Sequence, residues 1–191
     1  FIIKPYRDKL NIMHNIYIAG TGIWHPEEKI SNNEIVNSYN SYAEKFNQEN
    51  KLEIENGIVM AMELSSAEFI EKASGIKSRY VIDKEGILDI NRMMPRVKNE
   101  HPDRLSIHAE VGIEAAKRAM VQANVIPSEI DAVIVGTSHA ARNYPAVAIE
   151  IQQELGINGY AYDMLVGCSS TTFAINNAYI AQIEDIACGG K

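Results

Sequence analysis

Cys168 is the residue of this 191-residue chain best placed to do chemistry. It follows the apolar stretch Tyr160 to Val166 through one glycine, and it precedes Ser169 to Ile183, which has helical character. A strand, a tight turn, a cysteine and a helix start, in that order, set a thiol among unpaired amides at the positive end of a helix dipole, which favours an anion. A thiolate there can attack a carbonyl and carry an acyl group as a thioester that stays activated. The helix end supplies only about 1 kcal/mol, so full activation needs a histidine or another donor from elsewhere. The competing role is packing, since unpaired cysteines are among the most buried residue types. On position alone, packing is the stronger reading.

Other constellations are weaker. His14, His25, His101, His108 and His139 are scattered, without the i, i+4 spacing of a metal-binding helix, and read as surface or hydrogen-bonded residues. Only His139, which follows an apolar strand, could line a cleft. Gly20-Thr21-Gly22-Ile23-Trp24-His25 begins like a dinucleotide fingerprint but places histidine where a third glycine is required. Gly167-Cys168-Ser169-Ser170-Thr171 has the wrong glycine spacing for a hydrolase elbow. Cys168 and Cys188 make neither a disulfide framework nor a four-ligand zinc site, so no metal is expected and both thiols read as free in a reducing compartment.

The elements that must position Cys168 alternate between strand and helix, the pattern of an α/β fold with a mixed or parallel sheet. Asn15 to Gly20 reads as a buried strand broken by Gly20-Thr21-Gly22. Ser31-Asn32-Asn33-Glu34 is a capping box, and Ser65-Ser66-Ala67-Glu68 repeats it, opening a helix that stops at Gly75. Arg79 to Asp83 reads as a short strand. Ser106 to Asn124 carries Ile107, Val111, Ala115 and Ala119 at four-residue spacing, a helix with small residues for close packing. Ile130 to Gly136 is apolar throughout, as a central strand covered on both faces would be. Pro145 suits the first turn of a helix ending at Gly156.

The bulk properties exclude several classes. With 46% hydrophobic and 23% charged residues the chain can bury a core, and its net charge of -7 disfavours nucleic acid and anionic lipid. No apolar run approaches the roughly 20 residues that span a bilayer, so a cytoplasmic protein is expected. Residues 1–12 read as a leader or a mis-set start and are left out of the fold. Cys188-Gly189-Gly190-Lys191 follows a helix with no returning strand, as an interrupted chain would.

Several spaced motifs together carry a family resemblance. Val166-Gly167-Cys168-Ser169-Ser170-Thr171-Thr172-Phe173-Ala174 resembles the nucleophile segment of the β-ketoacyl-acyl-carrier-protein synthase III family, of the thiolase superfamily. Gly20-Thr21-Gly22 with Pro26, Ala73 to Arg79, Asp131 to Thr137, and Tyr144-Pro145-Ala146 with Gln152 and Leu155-Gly156-Ile157 resemble it in the same order, from about Ile16 to Tyr179. The resemblance implies the N-terminal half of a thiolase-like fold over residues 13–191, with the C-terminal half absent. It implies Cys168 as nucleophile of a ping-pong condensation between a primer acyl-CoA and malonyl-acyl-carrier protein, in fatty acid biosynthesis. The two thioesters are substrates, and no cofactor is expected. The Cys168 amide would be one oxyanion donor.

Two departures stand out. Where the family sandwiches the CoA adenine between an aromatic ring and an arginine four residues on, this chain has Phe69 and Ala73. Phe69 remains a candidate substrate contact, with a core position as the alternative. The long segment Asn37 to Leu64 is similar to the branch described as β-ketodecanoyl synthases, which implies a medium-chain primer such as octanoyl-CoA; an amphipathic surface helix pair is the alternative. Tyr144 matches an aromatic that, in the family, reaches across a homodimer interface into the partner's acyl pocket. The family's catalytic histidine and asparagine lie in the half not present here, so the chain alone is expected not to condense. The alternative from another class is an inactive fragment that at most binds a partner chain. The catalytic reading further requires the thiol to open onto a buried acyl tunnel.

Overall fold

The computed structural model describes residues 1–6, 15–97, 104–140 and 142–187. Residues 7–12 of the expected leader, His14, His101, Cys188 and the Gly189–Lys191 end lie outside the described residues. In chain order the elements are β1 (Ile2–Tyr6), β2 (Asn15–Gly20), β3 (Lys29–Ser31), α1 (Asn32–Glu49), α2 (Lys51–Glu55), α3 (Ala67–Ser74), β4 (Ser78–Tyr80), α4 (Lys84–Leu88), α5 (Ile107–Ala123), β5 (Ala132–Thr137), α6 (Val147–Leu155), β6 (Tyr160–Leu165) and α7 (Ser170–Ala187). The chain divides into two compact units, one formed by Phe1–Trp24 with Glu100–Lys191, the other by His25–Asn99.

In the His25–Asn99 unit, β3 and β4 pair antiparallel. The capping box forms as the sequence predicts: the Ser31 hydroxyl accepts the Glu34 amide at 3.3 Å, and the Glu34 carboxylate accepts the Ser31 amide at 2.9 Å. The Lys84 ammonium, the Ser31 amide and the Ser31 hydroxyl all donate to the Glu34 carboxylate and hold its pKa down at about 2. Because its folded value lies below the unfolded one, the stabilisation is present above about pH 4.5 and is lost as pH falls through about 2. A carboxyl-carbon NMR titration should therefore place the Glu34 midpoint near 2, and Lys84→Met should raise it; an ordinary glutamate midpoint in the native chain would contradict the box.

The second box does not form, because with Ser66 as the cap the third helical residue is Phe69 and not Glu68. Ser66, not Ser65, caps α3 by accepting the Phe69 amide at 3.0 Å, while the Ser65 amide is taken by the Asn40 side chain at 2.9 Å. Gly75 ends α3 in the left-handed conformation (φ 73°) as expected. The segment Asn37 to Leu64 comprises most of α1, then α2, then an extended strap. Asn40 and Asn47 sit two turns apart on α1, and each makes a pair of hydrogen bonds to the strap backbone, at Ser65 and Met62 respectively, of 2.8 to 3.0 Å. Paired amides of this kind replace the strand that the strap has no neighbour to form.

The other unit carries the cysteine. Residues 2–6, which the sequence reading left out of the fold, form β1 and pair antiparallel with β2. Their backbone gives β2 a ladder partner. β2 is less covered than expected: Tyr17 and Ile18 are each about half exposed. Its Gly-Thr-Gly end lies directly on α5. A Cβ on Gly22 would overlap the Ala115 carbonyl, and one on Gly20 would meet Ala123 Cβ at 2.9 Å. The small residues of α5 thus do allow a close approach, at Ala115, Ala119 and Ala123. The face of α5 turned to the core is displaced from the expected one and uses Ala109 and Ile113, packed with Val147 and Ile151 of α6 and backed by Val133 and Val135 of β5.

Candidate functional site

β5 and β6 run parallel, with Ala132 opposite Tyr160 and Thr137 opposite Leu165, so both strands end at the same level. β5 pairs with one neighbour among the described residues rather than lying mid-sheet, and its residues are half-buried rather than covered on both faces. The carboxyl edge of a parallel pair is where loops and helix starts converge, and where α/β folds place ligands. Cys168 stands there, three residues beyond Leu165, in the short helical turn Gly167–Ser169 that leads into α7.

Three local features build that turn. Gly167 adopts φ 61°, a conformation an L side chain resists, and reverses the chain after β6. Gly136 lets the first turn of α7 settle on β5, since a Cβ there would stand 2.8 Å from the Ser170 carbonyl group and 3.0 Å from the Thr171 nitrogen. Ser170 is 2% exposed, and its hydroxyl accepts the Val166 amide at 2.8 Å with the Thr137 and Gly167 carbonyl oxygens, each at 2.8 Å, available to its one proton.

The neighbouring loop, between β5 and α6, is anchored as firmly. Asp163 of β6 caps α6 with both carboxylate oxygens, taking the Val147 and Ala148 amides at 2.8 Å each. Pro145 accordingly precedes the helix instead of opening it, with Ala146 as the cap residue. Buried Glu150 accepts the Ser106 amide at 2.9 Å and the Ser106 hydroxyl at 2.7 Å, and it pairs with Arg142 at 3.2 Å. Arg142 also donates to the Arg104 carbonyl at 2.8 Å. One carboxylate thereby joins the start of α5, α6 and the loop that carries Tyr144.

Of the predicted site residues, Cys168 and Tyr144 share this unit, and Phe69 belongs to the other. Cys168 is exposed and free. Tyr144 is 83% exposed. Phe69 is 66% exposed on α3, one turn before exposed Ala73, so it is not a core residue of its unit. The cavity of this unit does not supply the expected tunnel at the thiol. A cavity of about 1120 Å³ lies in this unit between α5, β5 and α7, lined by Ala119, Val133, Val135, Ala174 and Ala178 among others, and Cys168 is not on its wall.

Among the described residues no histidine is hydrogen-bonded to the cysteine turn, and no group of side chains could hold a metal. His139 takes part through its backbone only, its amide donating to the Thr137 hydroxyl at 3.3 Å. His25 stacks on Tyr80 at 3.9 Å. The residues that sequence reasoning passed over are Gly136, Asp163, Glu150 and Ser170. Asp163 was open to discovery, as a carboxylate within an otherwise apolar strand must meet donors; the others are visible only once the strand ends are aligned.

No family model matches the chain. Over 144 residues, 75% of its length, it is 46% identical to β-ketodecanoyl-acyl-carrier-protein synthase of Pseudomonas aeruginosa, of which this covers 41%. It is 42% identical over 71 residues to β-ketoacyl-acyl-carrier-protein synthase III of a Chelativorans species, covering 37% of the chain and 22% of that protein. Among solved structures it resembles 3-oxoacyl-acyl-carrier-protein synthase III of Aquifex aeolicus, with a TM-score of 0.56 at 24% identity over 90% of this chain and 40% of that one. The corresponding Thermus thermophilus enzyme gives 0.53 at 21% identity, over 85% and 37%. The chain thus spans about two fifths of the relative it matches at greatest length here, and its fold is the thiolase-like α/β fold of these enzymes.

Proposed function

We propose that this chain, a relative in sequence and in fold of the N-terminal half of the β-ketoacyl-acyl-carrier-protein synthase III enzymes, supplies the acyl-accepting cysteine of a decarboxylative condensation. The observation that carries the reading is the place of Cys168, on a turn at the aligned carboxyl ends of β5 and β6 where α7 begins; the cavity of this unit does not open at the thiol, so the acyl tunnel that the reading requires must be completed by groups beyond those described. A first-turn amide has no acceptor within its own helix, so the Cys168 N–H is available to an oxyanion.

The Cys168 thiolate attacks the thioester carbonyl of an acyl-CoA, the carbon–sulfur bond to CoA breaks, and CoA leaves with the electron pair and a proton. Malonyl-acyl-carrier protein then loses carbon dioxide. The resulting carbanion equivalent attacks the acyl-Cys168 carbonyl, forms the new carbon–carbon bond and returns the thiolate. The primer is a medium-chain acyl-CoA such as octanoyl-CoA, a reading supported by the name of the Pseudomonas relative and by the long Asn37 to Leu64 segment. Phe69 stacks on the CoA adenine, and Tyr144 reaches a partner chain's acyl pocket in a homodimer; their exposure suits both roles.

Decarboxylation needs donors that the described residues do not bring to the thiol. Incubated with octanoyl-CoA and malonyl-acyl-carrier protein, the chain should accept the octanoyl group on Cys168 and release no carbon dioxide. Carbon dioxide release would contradict the requirement for further groups. Failure to acylate, with Cys168 reacting no faster than Cys188 toward iodoacetamide, would favour an inactive binding module.

A further inference from the structure

We propose that Ser170 is a positioning residue for Cys168, its buried hydroxyl locking the cysteine turn to the end of β5. The inference rests on Cys168 being the nucleophile. The geometry is specific. Ser170 lies two residues past the cysteine, is 2% exposed, and has three backbone partners from three places in the chain: Val166 before the turn, Gly167 within it, and Thr137 at the end of the neighbouring strand. A serine that merely bonded back along its own helix would touch Gly167 alone. Here the hydroxyl accepts the Val166 amide and so uses up a donor beside the turn, leaving the Cys168 amide as the donor that faces an incoming oxyanion. The bond to Thr137 sets the height of the turn on the parallel pair, and Gly136 keeps the space beneath it open.

Among the described residues it is the Ser170 hydroxyl that ties the turn to the Thr137 carbonyl at the end of β5. Cys168 itself is exposed, so the turn's position depends on what holds it from below. Loss of the hydroxyl would leave the Val166 amide and the Thr137 carbonyl to find water, and the sulfur and its amide would drift from the attack geometry. Misplacement on the order of 1 Å can cost about a hundredfold in rate.

The test compares native chain, Ser170→Ala and Ser170→Thr in full length, reading the rate of Cys168 acylation by octanoyl-CoA across concentrations and the hydrogen exchange of the Val166 amide. Ser170→Ala should lower the saturating acylation rate by roughly tenfold to a hundredfold while leaving half-saturation unchanged, and should speed Val166 exchange. Ser170→Thr, which keeps the hydroxyl, should recover most of both. Native-like rate and exchange in Ser170→Ala would overturn the proposal, as would a Ser170→Thr that folds and behaves like the alanine variant. If Ser170→Ala does not fold, Ser170→Gly takes its place with the same expectations. Should native chain itself take up no octanoyl group, the functional reading fails; exchange at Val166 still decides whether Ser170 holds the turn.

Discussion

Arg142→Ala is expected to destabilise the cysteine-bearing unit by about 3–5 kcal/mol, read as a drop in the urea midpoint. The Glu150 carboxylate is 6% exposed and Arg142 only 16%, so removing the guanidinium leaves a buried carboxylate without its counter-charge. The two Ser106 donors remain, but they are neutral and cannot replace the ion pair. The double variant Arg142→Met with Glu150→Gln removes both charges and should lose much less, because a buried pair replaced by groups of similar volume often costs little. A single substitution costing under about 1 kcal/mol would mean that solvent reaches the pair. The same change should loosen the loop bearing Tyr144, since Arg142 is its tie to both α6 and the Arg104 carbonyl.

Gly22→Ala should cost about 3 kcal/mol. The new methyl would overlap the Ala115 carbonyl oxygen and stand 2.7 Å from the Ala119 nitrogen, both backbone atoms of α5 that no rotamer change can move. Relief requires β2 to lift from α5, which also weakens the hydrogen bonds of Thr21 to Gln122. Gly57→Ala is the control. Nothing lies within 4 Å of its added Cβ, so only its left-handed backbone (φ 69°) resists the change, at about 1–2 kcal/mol. Thermal unfolding of the two variants should separate packing from conformational cost; equal losses would contradict a close contact between β2 and α5.

How much of this was legible in the chain depends on the range of the forces involved. The Ser31 box, the Gly75 stop and the limits of α5 depend on residues within four positions of one another, and all were read correctly from spacing. The strand, glycine turn and helix start around Cys168 are also local signals and form as read, whereas its role as nucleophile came from the family resemblance and not from position. Ser65 failed as a cap because Asn40, 25 residues away, takes its amide. β1 was passed over because residues 2–6 gain meaning only from pairing with β2. The strand Ile130 to Gly136 looked central because its residues are apolar, yet apolarity records what a strand can bury and not how many partners it has. The supports of the site, Asp163 on α6, Glu150 on Ser106 and Ser170 on Thr137, each join residues more than a dozen positions apart. Spacing alone could not pair them.

The most direct measurement is peptide mass spectrometry of the chain after brief exposure to octanoyl-CoA. One octanoyl group, labile to hydroxylamine as a thioester is, should appear on the peptide containing Cys168 and vanish in Cys168→Ala. An unmodified Cys168 peptide, or label that survives in Cys168→Ala, would contradict the assignment of this thiol as the acyl acceptor.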